Sequence, residues 1–129
     1  MYCLDSSTVV EYLRGDAKVK SRLDELAYTK IYITAITLCE LFKGAYLSAN
    51  TEENLSLINS LFDYFYILEL EDNSAEIYGQ KNFELKKIGK LTQDFDLLIA
   101  AICIANNAVL VTRNKKHFEN IKGLKVEVW

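Results

Sequence analysis

Short apolar runs alternate along this chain with longer stretches whose apolar residues recur at helical spacing, and no other feature narrows the possible folds as much. Residues 2–4, 31–33, 66–70, 109–111 and 124–128 read as strands. Between them, Ser6 or Ser7 is placed to cap a helix through Val9, Val10, Tyr12 and Leu13, which Gly15 ends. Asp16 caps a second helix to about residue 28, and Thr34 or Thr37 opens a third through Leu38, Leu41, Phe42, Ala45 and Tyr46. An amphipathic stretch covers 51–63, Asn73 caps a helix over 74–88 with Gly89 just past its end, and 92–106 is a strongly apolar helix. Strands that alternate with helices imply a parallel sheet, because parallel neighbours need a crossover and the crossover helix packs on a sheet face. The expected architecture is α/β, in three α/β/α layers around a mostly parallel sheet of about five short strands. In such sheets ligands bind outside the carboxyl ends of the strands.

The 129 residues suit one domain spanning 1–129, and half of them are hydrophobic, enough for a sizeable core. There is no proline, no low-complexity stretch and no linker. No uncharged apolar run reaches the roughly 18 residues of a membrane span, and no basic segment leads into a long apolar one, so neither a spanning helix nor a signal peptide is expected. Cys3, Cys39 and Cys103 are odd in number, sit among apolar residues and lack metal-type spacing. They read as reduced core thiols of a cytoplasmic protein.

Net charge is −3, from 15 basic and 18 acidic residues, which excludes a generic nucleic-acid binder. Any contact with RNA or DNA must use a local patch. Lys86, Lys87 and Lys90 form one candidate, and Arg113, Lys115, Lys116 and His117 another; solvated surface turns are the plain alternative.

Carboxylates interrupt three apolar segments that would otherwise build core: Asp5 in Leu4–Asp5–Ser6, Glu40 between Cys39 and Leu41, and Asp94 with Asp96 ahead of Leu97. Buried carboxylates are rare unless paired or bound to a metal. Asp5 also suits a helix cap, and Thr37 with Glu40 matches a capping box. Gly44 in mid-helix costs about 1 kcal/mol relative to alanine, and points to close packing or to substrate approach. Asp94 and Asp96, two apart, do not share a helix face; Asp96, next to the apolar run, is expected to turn inward while Asp94 caps. Placed together, these acids repel one another unless a cation lies between them, and oxygen donors suit Mg2+ or Mn2+. Thr112 and Asn114, after the fourth strand, are expected at the same edge. The chain has one histidine, no Gly-rich phosphate loop and no histidine partner evident for Ser6 or Ser7, so a His-based metal triad, P-loop hydrolysis and serine-nucleophile chemistry are unsupported.

Taken together, these residues resemble the PIN-domain ribonucleases and, within them, the VapC toxins of toxin–antitoxin pairs. The likeness rests on Leu4-Asp5-Ser6-Ser7, on Glu40-Leu41-Phe42-Lys43-Gly44, on Asp96-Leu97-Leu98-Ile99-Ala100-Ala101, and on Leu110-Val111-Thr112-Arg113-Asn114 through His117-Phe118 to Trp129. The resemblance implies a PIN fold and a metal site of Asp5, Glu40 and Asp96, with Mg2+ on the first and last. It implies RNA as substrate, a homodimer, and a cognate VapB-like antitoxin whose C-terminal segment enters the active-site groove. Family members often carry a fourth acid in the region of Asn114 to His117, where this chain has none. Asp94 in its place, or a single metal, are the two ways the site closes. Ser6, Thr112, Arg113, Asn114, Lys115 and Lys116 are then the expected substrate contacts. A non-catalytic PIN-like binding module, and an RNA-processing nuclease with no antitoxin, stand as alternatives.

Overall fold

The computed structural model describes residues 1–129. The strands are β1 (Tyr2–Leu4), β2 (Ile31–Thr34), β3 (Tyr66–Leu68), β4 (Val109–Val111) and β5 (Lys125–Glu127). They form one sheet in the order β3-β2-β1-β4-β5, with every neighbouring pair parallel. The helices are α1 (Ser6–Leu13), α2 (Ala17–Glu25), α3 (Ala35–Leu47), α4 (Thr51–Leu61), α5 (Asp72–Lys87) and α6 (Asp94–Ala105), and a single 3-10 turn covers Lys115–His117. No helix is long and apolar enough to cross a membrane.

Side chains alternate across the sheet and so feed two apolar layers. Leu4, Ile33 and Val111 face Val9 of α1, Leu41 and Ala45 of α3, and Ile58 and Leu61 of α4. Cys3 and Leu110 face the other way, onto Leu85 of α5 and Leu97, Ile99, Ala100, Ile102 and Cys103 of α6. The sheet is thus covered on both faces, the expected three-layer arrangement. Helix α6 is buried nearly all round, consistent with its almost wholly apolar sequence. Truncating a side chain such as Leu97 to alanine there costs about 2–5 kcal/mol.

Gly15 and Gly89 both stand just beyond a helix C-cap with φ of +85° and +67°, the left-handed conformation that ends a helix and that a Cβ disfavours. Of three helix starts, the first two select one of the capping residues the sequence offers, and the third departs from them. Asp5 itself, not Ser6 or Ser7, caps α1, accepting from the Thr8 N–H at 3.1 Å. Thr34 caps α3 through the Thr37 N–H at 2.9 Å, so Thr37 and Glu40 form no capping box. Glu71 rather than Asn73 precedes α5, whose first residue is Asp72. Cys3 and Cys103 are buried free thiols, whereas Cys39 is exposed, because its position on α3 turns it away from both apolar layers.

Candidate active site

Three junctions converge at the carboxyl edge of the sheet. Asp5 follows β1, and α3, carrying Glu40, follows β2. Helix α6 leads back into β4 and therefore starts at the same edge, which brings Asp96 in its first turn there. The acids influence one another's ionisation. Glu40 is pushed above its ordinary value of 4.5, first by burial and then by the negative charges of Asp96 and Asp5, while Ser6 and Lys43 pull the other way. Asp96 is likewise raised from 3.8, first by burial and also by Asp5, against the opposing pull of His117.

Asp5 is the anchored member. Its side chain is 4% exposed and three donors converge on it: the Thr8 N–H, the Ser7 hydroxyl at 2.6 Å, and the Thr112 hydroxyl. Thr112 Oγ1 accepts in turn from the Asn114 N–H at 3.0 Å, and Ser7 Oγ accepts from the Arg113 N–H at 3.0 Å. Charge-assisted bonds of this kind are about twice as strong as neutral ones. Asp5 thus fastens the loop after β4 to the start of α1.

Glu40 is the opposite case. Its Oε2 is buried and has no hydrogen-bond partner. An orphaned acceptor flanked by two other carboxylates is a strong sign of a missing positive group. No three Asp, Glu, His or Cys side chains stand close enough to enclose one ion together. Mg2+ keeps several waters and takes only one or two direct carboxylates, so such an ion would be held mainly through its waters. The donor chemistry, all oxygen apart from His117, fits such an ion.

Beside the acids runs a groove of about 740 Å³. Ser6, Glu40, Gly44, Asn54, Arg113 and Asn114 contribute to its walls, over a floor that includes Val10, Leu41 and Ile58. A Cβ on Gly44 would meet nothing within 4 Å, so this glycine opens the groove rather than permitting close packing.

The remaining expected site residues divide. Ser6 lies beside Glu40 on the groove, and Asn114 lines it too. Lys115 and Lys116 are exposed on the 3-10 turn. Arg113 is held at 3.3 Å by Asp16, the N-cap of α2. Two expectations need correction. Thr112 is fully buried, so its hydroxyl positions Asp5 and does not reach a substrate. Asp94 is exposed and accepts from the Tyr78 hydroxyl of α5 at 2.8 Å, a contact outside the group of acids, and Gln93 rather than Asp94 occupies the N-cap of α6. Two residues were not anticipated in the roles they take. Ser7 orients Asp5, and His117 Nδ1 stands 3.2 Å from Asp96 Oδ2. A serine two residues after an aspartate is a recognisable local signal for the first; the second has none in the sequence.

Known proteins resemble this chain in sequence and fold. The PIN domain family model matches residues 2–124. The ribonuclease VapC2 of Haemophilus influenzae is 32% identical over 129 residues, covering 99% of this chain and 97% of its own. The tRNA(fMet)-specific endonuclease VapC of Shigella flexneri is 30% identical over 129 residues, with 99% and 97% covered. Among solved structures, VapBC2 from Rickettsia felis bound to a promoter DNA fragment superposes with a TM-score of 0.94 at 32% identity, over 99% of this chain and 98% of that one. With the family model matching nearly the whole chain and full-length similarity in sequence and fold, the chain belongs to the PIN-domain family, among the VapC ribonucleases.

Proposed function

We propose that this chain is a divalent-cation-dependent endoribonuclease, the toxin of a VapBC-type pair, acting in the cytoplasm on RNA phosphodiester bonds. The observation that carries the reading is the orphaned, buried Glu40 Oε2 beside Asp5 and Asp96 at the carboxyl edge of the sheet. Asp5 and Asp96 would hold the ion directly and Glu40 would reach it through water, with Mg2+ or Mn2+ as the cation. When bound, such an ion offsets charge on the phosphoryl oxygens and makes an attacking water a stronger acid. Ser7 and Thr112 keep Asp5 in one orientation. Glu40, whose proton affinity is raised by burial and by the neighbouring charges of Asp96 and Asp5, would serve as the proton acceptor. Ser6, Asn114 and the cations Arg113, Lys115 and Lys116 line the approach of the RNA backbone.

The same groove suits the C-terminal segment of a VapB-like antitoxin: Tyr46, Leu47 and Leu57 are exposed on the helices that border it, α3 and α4. Phe83, Ile88, Leu91 and Phe95, exposed around the α5–α6 junction, supply apolar surface for a homodimer. The test is cleavage of a structured RNA by wild type and Asp5→Asn in Mg2+ or Mn2+ buffer. The variant should lose cleavage while keeping its far-ultraviolet circular dichroism. Equal cleavage by the two would sink the assignment.

A further inference from the structure

Two arginines line the groove, and the fold treats them differently. Arg14 ends α1; its side chain is 73% exposed, and its Nη1 meets only the helix neighbour Glu11, at 3.6 Å. Arg113 comes from the loop after β4 and its side chain is 32% exposed. Its Nη2 stands 3.3 Å from Asp16 Oδ1, on a different element. Both ends of this second pair are fastened independently. The Arg113 N–H donates to Ser7 Oγ at 3.0 Å, and the Ser7 hydroxyl donates in turn to Asp5. Asp16 Oδ1 also accepts from the Val19 N–H at 2.9 Å, which fixes the carboxylate as the N-cap of α2.

Exposed ion pairs are worth little, partly because two long side chains lose rotamer freedom to hold them. Here the cap has already fixed the carboxylate, and the Asp5 network has fixed the arginine backbone. The pair therefore sets a direction for the guanidinium more than it adds stability. Asp16 is also firmly ionised: its carboxyl is held below its ordinary 3.8, first by the Val19 N–H and then, against desolvation, by Arg113 and Lys18. Arg113 lines the groove and Asp16 does not, so the carboxylate holds the guanidinium from outside the groove. The contact uses one guanidinium nitrogen. The rest of the planar fork stays open, and such a fork suits two oxygens of one phosphate.

We propose that Asp16 is a positioning residue: its carboxylate holds the Arg113 guanidinium at the rim of the groove, where the open fork grips an RNA phosphate and aligns the strand on the acids. This rests on the ribonuclease reading above. Asp16 acts only through Arg113, and its charge is separable from its capping role.

Asparagine and serine cap helices about as well as aspartate but carry no charge, so Asp16→Asn and Asp16→Ser leave the start of α2 in place, as thermal melts would check. The chain has three arginines, which makes each Nε–Hε signal assignable by nitrogen-15 NMR. In metal-free wild type, the Arg113 Nε–Hε order parameter should exceed that of Arg14; in both variants it should fall to the Arg14 level. Cleavage of a structured RNA in Mg2+ buffer should lose about tenfold in kcat/KM in both variants, mainly in kcat. Removing a negative charge would by itself favour a polyanion, so electrostatics alone predicts the opposite sign. In an Arg113→Met background, Asp16→Asn should change cleavage by less than about twofold. Three results overturn the proposal: Arg113 order unchanged in the variants, cleavage equal to or faster than wild type, or the same tenfold loss when Arg113 is absent. The two readings fail separately. Wild type that cleaves no RNA removes the ribonuclease and with it any part for the pair in cleavage. Wild type that cleaves, with an Arg113 signal indifferent to Asp16, removes only the positioning.

Discussion

Replacing Glu40 by methionine should make the metal-free protein more stable. Oε2 of Glu40 is buried without a partner, and burial together with the charges of Asp96 and Asp5 works against its ionised form. An unsatisfied buried acceptor costs about 1–3 kcal/mol. The carboxyl group as a whole is only half-buried, so solvent screening takes the figure to the low end, about 1 kcal/mol. Methionine has nearly the helix propensity of glutamate, so α3 adds no penalty of its own. For a chain of this size about 1 kcal/mol corresponds to a rise of roughly 3–5 °C in melting temperature. The assay is a thermal melt by circular dichroism at pH 7.5 in excess chelator. Glu40→Gln, which removes the charge but leaves a buried amide, should recover only part of the gain. Both variants should lose RNA cleavage. A methionine variant that melts at or below the wild-type temperature would refute the view that this glutamate is held at a cost the fold bears for its chemistry.

Thr112→Val should act in the opposite sense. It strips Asp5 Oδ2 and the Asn114 N–H of their shared hydroxyl and should destabilise by about 1–3 kcal/mol, read as a shift in urea midpoint. Stability in chelator should also depend on pH with a defined sign. Glu40 and Asp96 titrate above their ordinary values of 4.5 and 3.8 in the folded chain. Across the window from those values up to the raised ones, the folded protein holds protons that the unfolded chain has released. Their contribution to stability is therefore largest on the acid side, falls as pH rises through the window, and is gone above it. The melting-temperature difference between wild type and the double variant Glu40→Gln, Asp96→Asn should widen in favour of the variant as pH increases from about 4.5 to 7.

The layered fold was readable because its signals are local. Residues 109–111 are apolar between a turn and polar residues, and the strand forms there. Gly15 and Gly89 mark helix ends by a backbone angle that is nearly their own. Asp5, Glu40 and Asp96 could be placed together because in a parallel sheet a residue after a strand and a residue opening the helix before a strand share one edge. What stayed hidden depends on register between distant segments. The Ser7 and Thr112 hydroxyls lie 105 residues apart in the chain and meet only because β1 and β4 pair with Leu4 opposite Val111. The His117–Asp96 contact likewise needs the 3-10 turn to fold back over α6. Capping was only partly legible, for a different reason: Asp5 and Thr34 were among the candidates and do cap, but their neighbours competed with them. Ser6, Ser7, Thr37 and Asn73 are all good capping types, and choosing among neighbours requires knowing where the strand before them stops.

The brevity of the strands has a consequence for which length changes the gene can survive. β1 and β4 are three residues each, and their register sets Asp5 level with Thr112. Inserting or deleting one codon near Leu4 or Val111 would rotate the next side chain to the opposite layer of helices and dismantle the whole row of donors and acids in a single step. The turns at the far edge, such as the one between α2 and β2, carry no such row and can lengthen or shorten freely. Tolerance to insertions should therefore be lopsided across the sheet, and a library of single-codon insertions would display that polarity directly.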